Sequence, residues 1–298
     1  MSQQELRAIV AMLEQMPPLG TLPIEQQRQL TEQLLSKGSI APGCSFEPAQ
    51  VGGVPGLWAH PQRVKAGRVL LYLHGGGYAV GSANAYRSLA SHLAAACEAR
   101  VLTIDYRLAP EHPFPAAVDD AVVAYRGLLG SGIDPQCLAV AGDSAGGGLS
   151  MALLLAIRDA GLAQPVAAAV MSPWVDMTQS GASWANKRAV DPMLGRLGQG
   201  PSMADLYLNG VDARHPLASP VLADLRGLAP VLIQVGSSEC LLDDSTQLVA
   251  RLAAADVKVV LDVWPGMIHV FQGMVDQLEE AREAIAGLAR FFEQQWGE

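Results

Sequence analysis

Charged and aromatic residues are both scarce in this chain of 298 residues. Only 16% of the residues are charged and 5% are aromatic, whereas 50% are hydrophobic. A chain this apolar does not stay disordered, and at this length it can bury about three quarters of its unfolded surface without disulfide or metal staples. The shortage of aromatics favours close-packed helices over an aromatic-rich β-sandwich. Length alone allows one large α/β domain or two smaller ones.

Basic residues are also few. The chain has 20 lysines and arginines against 29 aspartates and glutamates, which gives a net charge of −9 and a pI near 5.1. Since no lysine or arginine cluster offsets this charge, we expect neither nucleic acid nor an anionic membrane surface as a partner. No run of 18 apolar residues predicts a transmembrane span. The N-terminus has an early Glu5 and no basic segment before an apolar run, so it does not resemble a signal peptide.

Cysteine is equally rare. The four cysteines form no C-x-x-C pair and have no zinc-ligand spacing; they are Cys44, Cys97, Cys137 and Cys240. We interpret them as scattered reduced thiols of a cytoplasmic protein, and we expect no metal site.

Short apolar runs alternate with helical stretches from Arg68 onward. The predicted strands are residues 69–73, 101–104, 138–141, 166–171, 231–235 and 257–263. The predicted helices are residues 85–97, 116–129, 145–160, 244–255 and about 277–296. Such alternation predicts βαβ units and a mostly parallel sheet with helices on both faces.

Two segments lie outside this alternation. The first forty residues have the periodicity of two amphipathic helices, and residues 176–218 contain no strand-like run but have room for two short helices. An insertion of this size usually lies over the carboxyl ends of the strands, where ligands bind. We therefore expect residues 1–298 to form a single domain with a cap built from about 1–45 and about 176–218.

The Gly-Asp-Ser-Ala-Gly stretch at 142–146 fits the pattern G-x-S-x-G. It follows a predicted strand and opens a predicted helix, which is the setting that a nucleophile elbow requires. In such a turn the Ser144 hydroxyl stands at the top of the sheet, and the flanking glycines avoid collisions. The alternative is a glycine-rich helix start that Ser144 or Asp143 caps, and we expect Asp143 to act as such a cap.

A run of three glycines follows the first of the predicted strands, in the stretch His-Gly-Gly-Gly-Tyr that begins at His74. Consecutive glycines leave N–H groups exposed, as in the H-G-G-G oxyanion loop of lipases and esterases. We expect the N–H groups of Gly76, Gly77 and Ala145 to bind an oxyanion, with Gly75 shaping the turn. His74 is expected to be structural, because it precedes the serine.

A general base should come last in the chain order serine, acid, histidine. Of the six histidines, His269 alone lies after the last predicted strand, on a loop before the C-terminal helix. The acid should follow the strand at 231–235, where Glu239, Asp243 and Asp244 are available. Asp243 and Asp244 stand where a helix begins and suit N-terminal caps, whereas Glu239 stands on the preceding loop.

The chain resembles the bacterial hormone-sensitive-lipase family of α/β-hydrolase carboxylesterases. The stretches that carry the resemblance are HGGGY at 74–78, DYRLAPEHPFPA at 105–116, GDSAGG at 142–147, SPWVDMT at 172–178 and GMIHVF at 266–271. In this family the acid is usually the first Asp of a D-x-L-x-D pattern about 30 residues before the histidine. Here Glu239 occupies that place, and the resemblance implies a triad of Ser144, Glu239 and His269, with Asp243 as the alternative acid.

The resemblance implies an α/β-hydrolase fold and a serine carboxylesterase that acts on short- to medium-chain acyl esters without a cofactor. Family members often pair, so a homodimer is implied as well. The residues Asp105, Tyr106 and Arg107 are expected to brace the oxyanion loop. One alternative is a binding protein with dead catalysis, similar to the plant gibberellin receptors, but these lack the working histidine, whereas His269 is present here. An amidase or peptidase of the same fold stays open.

Overall fold

An eight-stranded β-sheet runs through the centre of the protein. The computed structural model describes residues 3–18, 21–196 and 202–297. The strands are β1 (Ser45–Val51), β2 (Val54–His60), β3 (Val69–Leu73), β4 (Arg100–Ile104), β5 (Leu138–Asp143), β6 (Ala167–Met171), β7 (Val231–Gly236) and β8 (Val259–Trp264). Their order across the sheet is β1-β2-β4-β3-β5-β6-β7-β8. Strand β2 pairs antiparallel with β1 and β4, and the other neighbours are parallel.

Helices cover both faces of this sheet. They are α1 (Gln3–Gln15), α2 (Ile24–Leu35), α3 (Arg87–Cys97), α4 (Ala116–Gly130), α5 (Ala145–Asp159), α6 (Ser183–Asn186), α7 (Met203–Leu208), α8 (Leu242–Ala254) and α9 (Glu279–Gln295). Alternate strand residues divide between two cores, since Leu71 packs with α4, α5 and α8 whereas Leu70 packs with α3 and α9. The central strands β3, β5, β6 and β7 are thus buried on both faces, which explains why they are mostly apolar runs without polar alternation. The edge strands β1 and β8 are partly exposed.

The six predicted strands are β3 to β8. The largest shifts are of two residues: β5 ends two residues later than predicted, and β8 begins two residues later. At β8 the reason is that Val257 donates its N–H to the Leu252 carbonyl and still belongs to the turn after α8. The glycine-broken stretch before β3 forms the hairpin of β1 and β2. Its turn, Gly52-Gly53, has φ values of 61° and 92°, which glycine adopts without strain.

In the part of the chain that the structure describes, the predicted cap segments contain α1 and α2 in one and the shorter α6 and α7 in the other. Residues 1, 2, 19, 20 and 197–201 of this prediction lie outside the described residues, as does residue 298 of the predicted domain. The two segments contact each other, because Arg196 Nη1 donates to the Leu13 carbonyl (3.0 Å) and the Met16 carbonyl (3.2 Å). Helix α2 also contacts the body of the protein, where Arg28 Nε donates to the Ala79 carbonyl (2.9 Å).

The cysteines are free thiols at all four positions. Within the described ranges, no set of three or more histidine, cysteine, aspartate or glutamate side chains is grouped as metal ligands would be. None of the helices described here combines the length and apolarity that crossing a bilayer requires.

Candidate active site

Ser144 lies on a sharp turn between strand β5 and helix α5. Its φ of 52° and ψ of −121° belong to a strained conformation that a non-glycine residue rarely adopts. The turn is possible because glycines flank it: a Cβ on Gly146 would stand 1.9 Å from the Leu73 carbonyl oxygen. The Ser144 N–H donates to the Met171 carbonyl of β6 (2.8 Å). The strained serine is therefore held by the two neighbouring parallel strands and stands at their carboxyl ends.

His269 lies on the loop after β8 and is 2% exposed. Its Nε2 lies 3.0 Å from Ser144 Oγ, and its Nδ1 lies 2.7 Å from Glu239 Oε2. Since Glu239 carries no proton donor when ionised, Nδ1 donates this bond, which leaves Nε2 free to accept the serine proton. The structure therefore brings together the serine, the histidine and the glutamate singled out in the sequence.

Glu239 is fully buried in the turn after β7. Its Oε1 accepts hydrogen bonds from the Gly236 N–H (2.7 Å) and from Ser172 Oγ (2.8 Å), and its Oε2 faces His269. Both carboxylate oxygens are thus satisfied, as a buried charge requires. Ser172 was not singled out in the sequence, although it begins the SPWVDMT stretch at the end of β6.

The other two acidic candidates face away from His269. Asp243 Oδ2 accepts the Ser183 N–H (2.9 Å), and Asp244 Oδ2 accepts the N–H groups of Val175 and Asp176 (both 3.0 Å). The prediction that they cap a helix was wrong, because α8 begins at Leu242 without a side-chain cap. The two carboxylates instead hold the chain between β6 and α6.

The pKa of His269 is raised above its ordinary value of 6.5. Burial by itself lowers this pKa, but the hydrogen bond and the negative charge of Glu239 outweigh burial, and Asp191 and Asp143 add to the rise. The imidazole is consequently a stronger base than an isolated histidine.

The glycine loop after β3 presents backbone N–H groups. Gly76 and Gly77 have φ values of 113° and 61°, and within the described residues their N–H groups have no protein acceptor. Ala145 is the first residue of α5, where the N–H has no partner inside the helix. The Gly75 N–H donates to Asp143 Oδ1 (2.9 Å), so Gly75 holds the loop and leaves three N–H groups available to a ligand.

Comparisons with known proteins identify the family of this chain. A family model described as the alpha/beta hydrolase fold matches residues 70–273. An acetyl-hydrolase of Streptomyces hygroscopicus is 47% identical over 248 residues, which are 83% of this chain and 82% of that protein. A crystal structure of an esterase from the bacterial hormone-sensitive lipase family has a TM-score of 0.93 and 42% identity, over 99% of both chains. The crystal structure of EstE5 soaked with p-nitrophenyl butyrate has a TM-score of 0.92 and 43% identity, again over 99% of both.

The chain belongs to the α/β-hydrolases, in the bacterial hormone-sensitive lipase family. It is a carboxylic ester hydrolase, as its relatives are. The predictions of fold class, family and enzyme class are confirmed.

Asp143 of this esterase has a different place from the one predicted. It does not cap α5; its carboxylate points toward the glycine loop and accepts hydrogen bonds from Tyr72 (2.6 Å) and Tyr86 (2.9 Å) as well as from Gly75. The reason is that β5 ends beside β3, so a side chain at the end of β5 faces the loop that follows β3. Burial raises the pKa of Asp143, and the two tyrosine hydroxyls partly offset that rise.

Replacing Asp143 by alanine is expected to lower the free energy of unfolding by about 3 kcal/mol, because three buried donors lose their acceptor. The glycine loop also loses its anchor, and we expect kcat to fall about 10- to 100-fold. Urea denaturation and ester turnover measure the two effects. Tyr86→Phe removes a single hydrogen bond and should cost about 1 kcal/mol. Equal losses in both variants would contradict the anchoring role.

The residues expected to brace the glycine loop divide into two groups. Tyr106 donates its hydroxyl to the His74 carbonyl (2.7 Å) and stacks on the His74 ring at 4.3 Å between centroids. Asp105 accepts the N–H of Ala83, further along the same loop (2.6 Å). Arg107 does not brace it: its guanidinium forms an ion pair with Asp120 of α4.

Helix α7 packs on the glycine loop from the other side. The ring of Tyr207 stacks on Tyr78, with 3.7 Å between centroids. A Cβ on Gly77 would stand 2.8 Å from Met203 Cγ, so the methionine lies directly against the loop. Both side chains of this predicted cap segment therefore pack against the glycine loop.

Proposed function

We propose that this esterase hydrolyses short- to medium-chain acyl esters through a triad of Ser144, His269 and Glu239 and an acyl-enzyme intermediate. The observation that carries the proposal is the continuous chain of hydrogen bonds from Ser144 Oγ through the imidazole to the buried carboxylate. Nucleophile, base and orienting acid stand in the order and at the distances that acyl transfer requires.

The first half of the reaction forms the acyl-enzyme. His269 Nε2 accepts the Ser144 proton as Oγ forms a bond to the ester carbonyl carbon. The carbonyl oxygen becomes an oxyanion, which the N–H groups of Gly76, Gly77 and Ala145 stabilise. Each such donor contributes about 3–4 kcal/mol to the stability of the transition state. The C–O bond to the alcohol then breaks, and the alcohol leaves with the proton that His269 held.

The second half returns the free enzyme. Water replaces the alcohol and attacks the acyl carbon while His269 Nε2 takes its proton. The new intermediate collapses by breaking the bond to Ser144 Oγ, which regains its proton, and the carboxylic acid leaves. In both halves Glu239 holds the imidazole by its Nδ1–H and stabilises the imidazolium.

We propose that residues of about 1–45 and 176–218 form a cap on a single domain and restrict the size of the acyl group. The contacts of Arg28 with Ala79 and of Met203 with Gly77 support this, because both place cap segments against the glycine loop. Two relatives support a small acyl group: one is named an acetyl-hydrolase, and crystals of another were soaked with a butyrate ester.

A series of p-nitrophenyl esters tests the proposed substrate class. We expect kcat/KM to be highest between acetate and octanoate and about 100-fold lower for palmitate. A palmitate ester hydrolysed as fast as butyrate would contradict the proposal. The matching butyryl p-nitroanilide decides between ester and amide: a higher kcat/KM for the anilide would favour the amidase alternative.

We also propose that the esterase forms a homodimer and binds no nucleic acid. The net charge of −9 supports the second statement. Size-exclusion chromatography with light scattering tests the homodimer, since a mass of 31.4 kDa would indicate a monomer.

A further inference from the structure

A carboxylate of the proposed cap lies beside the turn that carries Glu239. Asp191, between α6 and α7, is 2% exposed. Its Oδ2 accepts the N–H of Cys240 (2.8 Å), the residue directly after Glu239. Its Oδ1 accepts the N–H groups of Met193 (2.9 Å) and Leu194 (2.8 Å). Three backbone donors therefore occupy both oxygens of this buried carboxylate.

A second cap residue holds the same turn. Ser183 Oγ donates to the Cys240 carbonyl (2.6 Å) and accepts the Asp243 N–H (3.0 Å). The cap therefore binds both the N–H and the carbonyl of Cys240, and the peptide unit next to Glu239 cannot turn without breaking a buried hydrogen bond. Losing either partner would leave a buried backbone group unpaired.

The charges around His269 are mostly negative. Glu239 contacts it from the turn after β7, Asp143 acts from the end of β5, and Asp191 acts from the cap, and each of the three raises the pKa of His269. Burial and Asp191 raise the pKa of the Cys240 thiol, and the nearby cation Arg188 opposes that rise. Asp191 is the member of this set that belongs to the cap.

We propose that Asp191 is a positioning residue, through which the cap holds the turn of Glu239 and adds a negative charge to the surroundings of His269. This inference rests on the proposed triad. It makes the cap part of the catalytic machinery, besides its proposed effect on substrate size. Asp191 thus affects both the position of the Glu239 turn and the charge around His269, and two different substitutions separate these effects.

Asp191→Asn tests the charge. Asparagine carries no charge but retains one oxygen that can accept the Cys240 N–H, while its NH₂ takes the place of the oxygen that accepted the Met193 and Leu194 N–H groups. We expect the pKa of His269, measured by NMR titration of the resting enzyme, to fall by about 0.5–1 unit. The resonance is assigned by its absence in His269→Gln. The acid limb of kcat/KM should move to lower pH by the same amount.

Asp191→Ala tests the geometry. It removes the acceptor altogether and leaves the buried Cys240 N–H unpaired, so we expect kcat to fall about 10- to 100-fold at the optimum pH. Asparagine should restore most of this loss. If circular dichroism shows that the alanine variant does not fold, the asparagine variant still tests whether the charge of Asp191 acts on His269.

Asp243→Asn is the matched control. Asp243 also contacts the cap, but its carboxylate accepts the Ser183 N–H of α6, whereas the Cys240 N–H goes to Asp191. Its replacement should leave the pKa of His269 unchanged. An unchanged pKa in Asp191→Asn, or an equal fall in both variants, would overturn the inference. The NMR titration needs no turnover, so a wild-type enzyme without Ser144-dependent activity would refute the proposed function separately.

Discussion

Replacing Ser144 by alanine is expected to lower kcat toward p-nitrophenyl butyrate by roughly 10⁵- to 10⁶-fold, because no other group can form the acyl-enzyme. The glycine loop and the Ala145 N–H stay in place, so a small residual rate above uncatalysed hydrolysis should remain. Alanine retains the Cβ of serine, and the strained φ of 52° is therefore no worse in the variant. The free energy of unfolding should change by less than about 1 kcal/mol.

Ser150→Ala is the control for this prediction. Ser150 lies on the same helix α5, but it is fully buried and donates its hydroxyl to the Gly146 carbonyl (2.7 Å). Its loss should leave kcat within about threefold of wild type. A fluorophosphonate probe, which reacts with activated serines, should add its mass to the wild-type protein and to Ser150→Ala but not to Ser144→Ala. A Ser144→Ala enzyme with more than about 1% of the wild-type rate would place the nucleophile elsewhere.

Most of the sheet was predictable because its central strands are buried on both faces. Six short apolar runs, separated by helical stretches, became β3 to β8, and the two glycine motifs fell at the carboxyl ends of neighbouring strands β3 and β5. A local sequence pattern is enough to predict a strand when the same apolar residues both form the strand and bury it. The chain order of serine, acid and histidine then selected residues 125 and 30 positions apart, which the fold brings within hydrogen-bond distance.

The roles of the buried aspartates were not predictable. Asp143, Asp243 and Asp244 stand next to helix starts, where capping is the common role for aspartate. In the structure each carboxylate binds groups far along the chain: Asp143 binds Tyr72, 71 residues away, and Asp244 binds Val175, 69 residues away. Such contacts depend on which loops the sheet order brings together, and no local pattern encodes that. Asp191 was missed for the same reason, since its partner Cys240 is 49 residues away.

Replacing Glu239 by glutamine is the second large effect, with an expected loss of about 10⁴-fold in kcat. Glutamine has nearly the shape of glutamate, so the bonds from Gly236 and Ser172 can persist while the charge is lost. The glutamine NH₂ can also donate to His269 Nδ1, which favours the tautomer with its proton on Nε2. In that tautomer Nε2 cannot accept the serine proton. Asp243→Asn should retain near-wild-type kcat, because Asp243 faces Ser183. The reverse outcome would make Asp243 the acid.

The pH profile of the glutamine variant distinguishes the loss of the acid from a general loosening of the site. His269 must be neutral to accept a proton, so kcat/KM falls as the pH decreases through its pKa. In the wild type that pKa is raised above 6.5, and the acid limb should lie above pH 6.5. Without the charge of Glu239, burial dominates and lowers the pKa of His269, so the limb should move below pH 6.5. Measuring kcat/KM from about pH 5 to 9 tests this. If the variant has a lower maximal kcat/KM but its acid limb lies at the same pH as in the wild type, Glu239 does not act on His269.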